Sequence, residues 1–227
     1  MTVLSPNEVH VILVNLDESA PLRGNDLNIL SDAERARASS LRFPMGPERY
    51  LASKIALRQV LSGYLNVSPE DIVFEHSDRG KPRITSPETK IQFNVSHSDK
   101  WALIAIADSF LVGVDIERVD PARETLKIAE RFFAPHEFQE LVNLPPGSGL
   151  QDAFTKAWVV KEAYVKATGD GVSYGLDRVL VSRDPDTSLY ALCDCLGWTS
   201  QALIVPPDYR GAVVAKARDY LIKQMSA

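Results

Sequence analysis

The chain has 227 residues, 45% of them apolar and 24% charged, and a formal charge of −5. That length suits one domain or two small halves and lets roughly 70% of the unfolded surface be buried. The composition is that of an ordinary globular protein, and the acidic balance offers nucleic acid no whole-molecule attraction. No apolar run approaches the ~18 residues of a membrane span, and Met1 to Glu8 lacks the basic and apolar regions of a signal peptide. The expectation is a cytoplasmic protein with no membrane and no nucleic-acid partner. The two cysteines, Cys193 and Cys195, are too close in sequence for an easy disulfide and read as core or edge thiols.

Residues 9–16 (VHVILVNL) read as a buried strand. Ser31-Asp32-Ala33-Glu34 has the capping-box pattern and opens a short helix carrying Arg35 and Arg37. A longer helix starts near Pro47, with Tyr50, Leu57, Leu61, Tyr64 and Leu65 on one face. A short strand at 72–74 and a break at Gly80-Lys81-Pro82 follow, then strands at 91–95 and 101–107 joined around Ser96-His97-Ser98-Asp99-Lys100. The second half repeats the order loosely. It offers a strand at 110–116, a helix at 126–133, a loop at 143–149 and a helix at 150–168 capped by Gly169, then strands at 179–182, 189–193, 200–205 and 211–217. The reading is an α/β (α+β) protein of two similar, pseudo-two-fold halves, 1–110 and 111–227.

Chemistry concentrates in two segments. In Gly113-Val114-Asp115-Ile116-Glu117 a strand would put both carboxylates on one face, a hard-oxygen set suited to Mg²⁺. The same pattern also fits a solvated strand end paired with Arg118. In the 150–168 helix, Phe154, Trp158, Lys161, Glu162 and Val165 share one half and Lys166 lies at its edge, while Ala153, Val160, Ala163 and Ala167 fill the other. A helix apolar almost all round lies between layers, so Glu162 needs a metal or a lysine to stay ionised. His97 is either a turn histidine with local hydrogen bonds or a phosphate contact. P-loop and dinucleotide fingerprints are absent from the sequence.

Gly80-Lys81-Pro82, Phe93-Asn94-Val95-Ser96-His97-Ser98, Gly113-Val114-Asp115-Ile116-Glu117 and Trp158-x-x-Lys161-Glu162-Ala163-x-x-Lys166, in that order, resemble the surfactin-type 4′-phosphopantetheinyl transferases. The resemblance implies a monomer holding coenzyme A and Mg²⁺ between its halves. The implied reaction moves the phosphopantetheine arm onto a serine of an apo acyl, peptidyl or polyketide carrier protein and releases adenosine 3′,5′-bisphosphate. By position it implies Asp115, Glu117 and Glu162 as metal ligands, with Glu162, Lys166 and His97 catalytic. Coenzyme contacts would come from Arg37, Arg49, Lys81, Pro82, Asn94, Ser96, His97, Lys161 and Lys166. Glu34 stands where related enzymes can place a base, which leaves the 3′-phosphate to Arg37 or Arg35. Two rival readings are a coenzyme A-binding module without catalysis and a Mg²⁺-dependent nuclease; the intact acid set opposes the first and the missing basic groove the second. Arg123, Lys127 and Arg131, at helical spacing, are either a carrier-docking face or a solvated one.

Overall fold

The computed structural model describes residues 3–18, 26–42, 45–171, 174–193 and 195–226. In chain order the first half holds β1 (Glu8–Asn15), α1 (Asp32–Ser40), α2 (Gly46–Leu65), β2 (Val73–His76), β3 (Pro82–Ser86), β4 (Ile91–Ser98) and β5 (Trp101–Asp108). The second holds β6 (Val112–Arg118), α3 (Thr125–Phe132), α4 (Pro135–Val142), α5 (Ser148–Thr168), β7 (Val181–Arg183), β8 (Tyr190–Leu192), β9 (Thr199–Ala202), β10 (Tyr209–Ala215) and β11 (Leu221–Ser226). The mixed α+β class is the one expected. No helix among the described residues is long and apolar enough to cross a membrane.

Two sheets, ordered β11-β1-β5-β4 and β6-β10-β9, stack face to face. Strand alternation decides which residues go where. Val9, Val11, Leu103, Ala105 and Ala107 point from the first sheet into a shared core with Val112, Val114, Ile116, Val213 and Ala215 of the second. The intervening residues Ile12, Val14, Ile104 and Ile106 pack on Ala52, Ala56, Leu57 and Leu61 of α2. Ala212 and Val214 face α5 through Ala153, Ala157, Val160 and Ala163. The layers therefore run α2, first sheet, second sheet, α5.

Local signals set the helix ends. Ser31 Oγ accepts from the Glu34 amide at 3.2 Å, and the Glu34 carboxylate reaches back to the Ser31 amide at 2.9 Å, completing the predicted capping box. Pro47 sits in the first turn of α2, and Gly169 closes α5 at φ 77°. The sequence reading lacked β3, α4 and β11. β11 crosses back to pair in parallel with β1, from Glu8 opposite Leu221 to Leu13 opposite Ser226, so the last strand completes the first half's sheet. Lys223 Nζ, 2.7 Å from Glu8 Oε1, ties the two strands.

Candidate active site

β6 and α5 meet because Gly113 has no side chain. A Cβ there would lie 2.0 Å from the Ala163 carbonyl oxygen, 2.5 Å from the Ala167 amide nitrogen and 2.9 Å from its Cα. Helix backbone thus rests directly on strand backbone. The odd residues of β6 face α5, so Asp115 and Glu117 share that face as predicted, one turn of α5 carrying Glu162 and Lys166 across from them.

Asp115 is 2% exposed. Its Oδ1 accepts from Ser96 Oγ at 2.7 Å and from Lys166 Nζ at 2.6 Å, and Lys166 also donates to Ser96 Oγ at 2.9 Å. Its Oδ2 is buried without a hydrogen-bond partner. Burial pushes the Asp115 carboxyl up and outweighs the lysine and serine beside it. Burial also raises Glu117, helped by the Asp115 charge and opposed by Arg123, whose Nη2 lies 3.4 Å from Glu117 Oε2. Glu162 is raised first by burial, then by Asp115, with Lys166 opposing. Glu162 feels both Asp115 and Glu117, and Glu117 feels Asp115, so the three carboxylates form one cluster. As the side chains stand, no three His, Cys, Asp or Glu groups among the described residues are in a metal-holding arrangement. Lys166 and Arg123 instead serve as the local counter-ions.

Alternation along β4 splits the expected Ser96-His97 pair. Asn94, Ser96 and Ser98 turn toward β6. Asn94 Oδ1 accepts from the Val114 amide at 2.9 Å and Ser98 Oγ from the Arg118 amide at 3.1 Å. Asn94 and Ser96 are buried, 6% and 4% exposed, and both use their side chains to hold β6 and its carboxylate. The structure therefore corrects the coenzyme contact expected of Asn94. His97 lies on the other face with Phe93 and Val95, toward α2. The residue is exposed, yet desolvation of the ring and then Lys166 and Lys54 push its imidazole down.

A cleft of about 550 Å³ opens on that α2 side, lined by Arg37, Tyr50, Lys54, Arg58, Phe74 and Pro82 among others. Arg37 and Pro82, both expected to contact the coenzyme, line this cleft. Lys54, which interrupts the apolar stripe of α2, faces the cleft, and burial lowers its pKa. Arg58 lines the wall but is 3% exposed and spent: it pairs with Glu34 at 3.0 Å, donates to the Pro69 and Ile72 carbonyls and lies over the Phe74 ring. Glu34 is thereby neutralised within the wall. Arg35 pairs with Asp32 and donates to the Leu27 and Leu30 carbonyls, so Arg37 is the arginine of α1 that the cleft receives. Arg49, expected at a phosphate, makes a two-pronged pair with Asp17 at 2.8 and 3.0 Å instead. Lys81 Nζ donates to the Ala167 carbonyl at 2.6 Å, and burial lowers its pKa to about 8. It lines a second hollow, of about 410 Å³, that shares Pro82 with the cleft.

Lys161 requires a correction. It is fully buried, 2.7 Å from Glu137 Oε2, donates to the Leu176 and Val179 carbonyls and lies over the Phe133 ring. Glu137 also accepts from the Ala134 and Val181 amides, each at 2.8 Å. One residue from Glu162, the side chain points about 100° round the helix, into the α4 side, and pins α4, α5 and β7 together. No pyrophosphate contact is left to it. Lys127 pairs with Glu124 at 3.1 Å, and Arg131 lies over Phe132.

Fold and site together define an α+β protein whose acidic cluster sits where β4, β6 and α5 meet, and whose first half carries a cleft lined by Arg37 and Lys54. Residues 111–214 match the 4′-phosphopantetheinyl transferase superfamily, and residues 25–109 match the 4′-phosphopantetheinyl transferase N-terminal family. The chain is 36% identical over 219 residues to the 4′-phosphopantetheinyl transferase HetI of Nostoc sp., across 96% of this chain and 90% of that protein. It is 29% identical over 197 residues to the 4′-phosphopantetheinyl transferase Sfp of Bacillus subtilis, across 86% and 85% of the two chains. A putative 4′-phosphopantetheinyl transferase of Synechocystis sp. matches at 37% over 162 residues, 71% of this chain and 64% of its own. The chain belongs to the 4′-phosphopantetheinyl transferase superfamily.

Proposed function

We propose that the protein transfers the 4′-phosphopantetheine arm of coenzyme A to a serine of an apo carrier protein and releases adenosine 3′,5′-bisphosphate. Membership of the superfamily supports the reaction class, and the observation that carries it to this chain is the Asp115–Glu117–Glu162–Lys166 cluster, joined to the Arg37- and Lys54-lined cleft through His97, whose imidazole feels both Lys166 and Lys54. The serine oxygen bonds to the phosphorus next to the pantetheine, the bridging P–O bond of the pyrophosphate breaks, and the serine proton leaves to a base.

Phosphoryl transfer needs positioning and charge neutralisation more than covalent help from the protein. Arg37, Lys54 and Pro82 would hold the nucleotide end in the cleft, with Lys81 and His97 at its borders. Lys166, held 2.6 Å from Asp115, would swing to the pyrophosphate and hold the charge of the departing bisphosphate. Glu162, with its carboxyl raised by burial, is suited to accept the serine proton. The three carboxylates fit Mg²⁺: they are hard oxygen donors, the Asp115 charge raises both Glu117 and Glu162, and Asp115 Oδ2 is a buried acceptor in want of a partner. Asp115, Glu117 and Glu162 would hold the ion, whose contribution is Lewis-acid polarisation and neutralisation of the pyrophosphate. The acidic carrier would meet the bases around Arg123, Lys127 and Arg131. The proposal places the activity in a monomer of two halves, 1–110 and 111–227, in the cytoplasm, in keeping with two cysteines that are not joined in a disulfide.

The test is incubation with coenzyme A, Mg²⁺ and a panel of apo carriers, read by intact mass. The folded wild type should add one phosphopantetheine, Asp115→Ala none, and Glu162→Gln should turn over far more slowly. A folded wild type that modifies no carrier overturns the activity, and a fully active Glu162→Gln overturns the base role.

A further inference from the structure

β4 and β6 come from different sheets and share no backbone ladder. Side chains join them. Asn94 takes the Val114 amide, Ser96 reaches Asp115, and Ser98 takes the Arg118 amide. The three donors and acceptors alternate along β4, and the outer two rungs join residues separated by the same 20 positions, so the strands run side by side in register. The buried cluster between the sheets is otherwise built mainly of apolar side chains, Val9, Val11, Leu103, Ala105, Val112, Val114, Ile116 and Val213 among them. The polar stripe lies on the strand that borders the acid cluster.

We infer that Asn94 is a positioning residue: through the Val114 amide it sets the height of β6, and so the placement of the Asp115 and Glu117 oxygens against α5. Val114 directly precedes Asp115, and the Ile116 side chain, also on the inward face, meets the first sheet through non-directional packing while its backbone pairs with Gly211 of β10. The directional restraint on this stretch from the first sheet is the Asn94 carboxamide, 6% exposed and turned away from the cleft. Ser96 restrains the carboxylate itself, but its hydroxyl can rotate with it. A carboxamide locked on a backbone amide cannot follow a displaced strand. Outer partners of this kind govern how well ligating carboxylates are presented.

The inference rests on Asp115 as a metal ligand, and the experiment separates the two. Mn²⁺ binding by the intact protein with coenzyme A present is followed by electron paramagnetic resonance, alongside coenzyme A affinity without metal. Asn94→Ala should weaken Mn²⁺ binding by about ten-fold, the lower range for loss of an outer-shell partner. Its metal-free coenzyme A affinity should stay within about two-fold, because the side chain touches no coenzyme. Ile104→Val, in the α2-facing core, supplies a control that lowers thermal stability without contact to β6, and it should move neither affinity. Asn94→Asp keeps an acceptor for the Val114 amide and should hold Mn²⁺ at least as well as the wild type. Wild-type Mn²⁺ affinity in Asn94→Ala, or a ten-fold loss in Asn94→Asp, overturns the positioning role. A large loss of metal-free coenzyme A binding in Asn94→Ala overturns it too, by making Asn94 a coenzyme contact. If Asp115→Asn binds Mn²⁺ like the wild type, the ligand reading itself fails.

Discussion

Replacing Gly113 with alanine puts one methyl group where α5 already lies. Its nearest contact would be 2.0 Å from the Ala163 carbonyl oxygen, with the Ala167 backbone close behind. These are backbone atoms of a 21-residue helix, so no side chain can rotate away. Restoring an ordinary contact of about 3.4 Å means lifting the helix by roughly 1.4 Å. The Lys166–Asp115 contact, now 2.6 Å, would open to about 4 Å, beyond hydrogen-bond reach. Overpacking of this kind destabilises by about 1–3 kcal/mol, which for a chain of this size lowers Tm by roughly 2–12 °C. A displacement of order 1 Å in the catalytic array also lowers rate by about 100-fold. Differential scanning calorimetry and single-carrier transfer kinetics, read by mass, measure both effects. Gly149→Ala is the internal comparison: it lies in the same helix with open space around it and should be neutral or slightly stabilising. A Gly113→Ala protein that melts with the wild type and transfers at the wild-type rate would refute the direct strand-on-helix contact.

Two further predictions concern lysines. Lys161→Met removes the cation from a Glu137 that stays buried, so denaturant unfolding should show a loss of about 3–5 kcal/mol, while the coenzyme A KM of the folded fraction is unchanged. A stable variant with selectively weakened coenzyme binding would return Lys161 to the phosphate site. Lys81, with a pKa lowered to about 8, attracts phosphate only while protonated; the free protein therefore loses this attraction as pH rises through about 8. The coenzyme A KM should climb over that interval in the wild type and stay flat to higher pH in Lys81→Arg, whose guanidinium remains charged. Parallel pH profiles for the two proteins would contradict the assignment.

Much of the architecture was readable because it is local. The Ser31–Glu34 box, Pro47 and the Gly169 cap mark helix ends through backbone groups within one turn, and two-residue alternation puts Asp115 beside Glu117 in any strand. The same alternation, applied to β4, also separates Ser96 from His97, so that split was within reach of the sequence. The direction of Lys161 was not. Lys161 and Glu162 are adjacent in a helix apolar nearly all round, and only the arrival of Glu137, 24 residues upstream, decides which charge is sealed in. Arg49 likewise depended on a distant partner, Asp17. Lys54 broke an apolar stripe for a reason that only the neighbouring cleft supplies.

The sequence by itself determined the α+β class, the spacing of the acids and the superfamily resemblance, because each rests on residue order and short-range geometry. Tertiary structure decided the rest. Gly113 lets a helix touch a strand, Asn94 and Ser96 stitch two unpaired strands, and β11 returns to complete the first sheet. These choices depend on close packing and on satisfying buried polar groups between segments far apart in the chain, and a linear pattern carries neither.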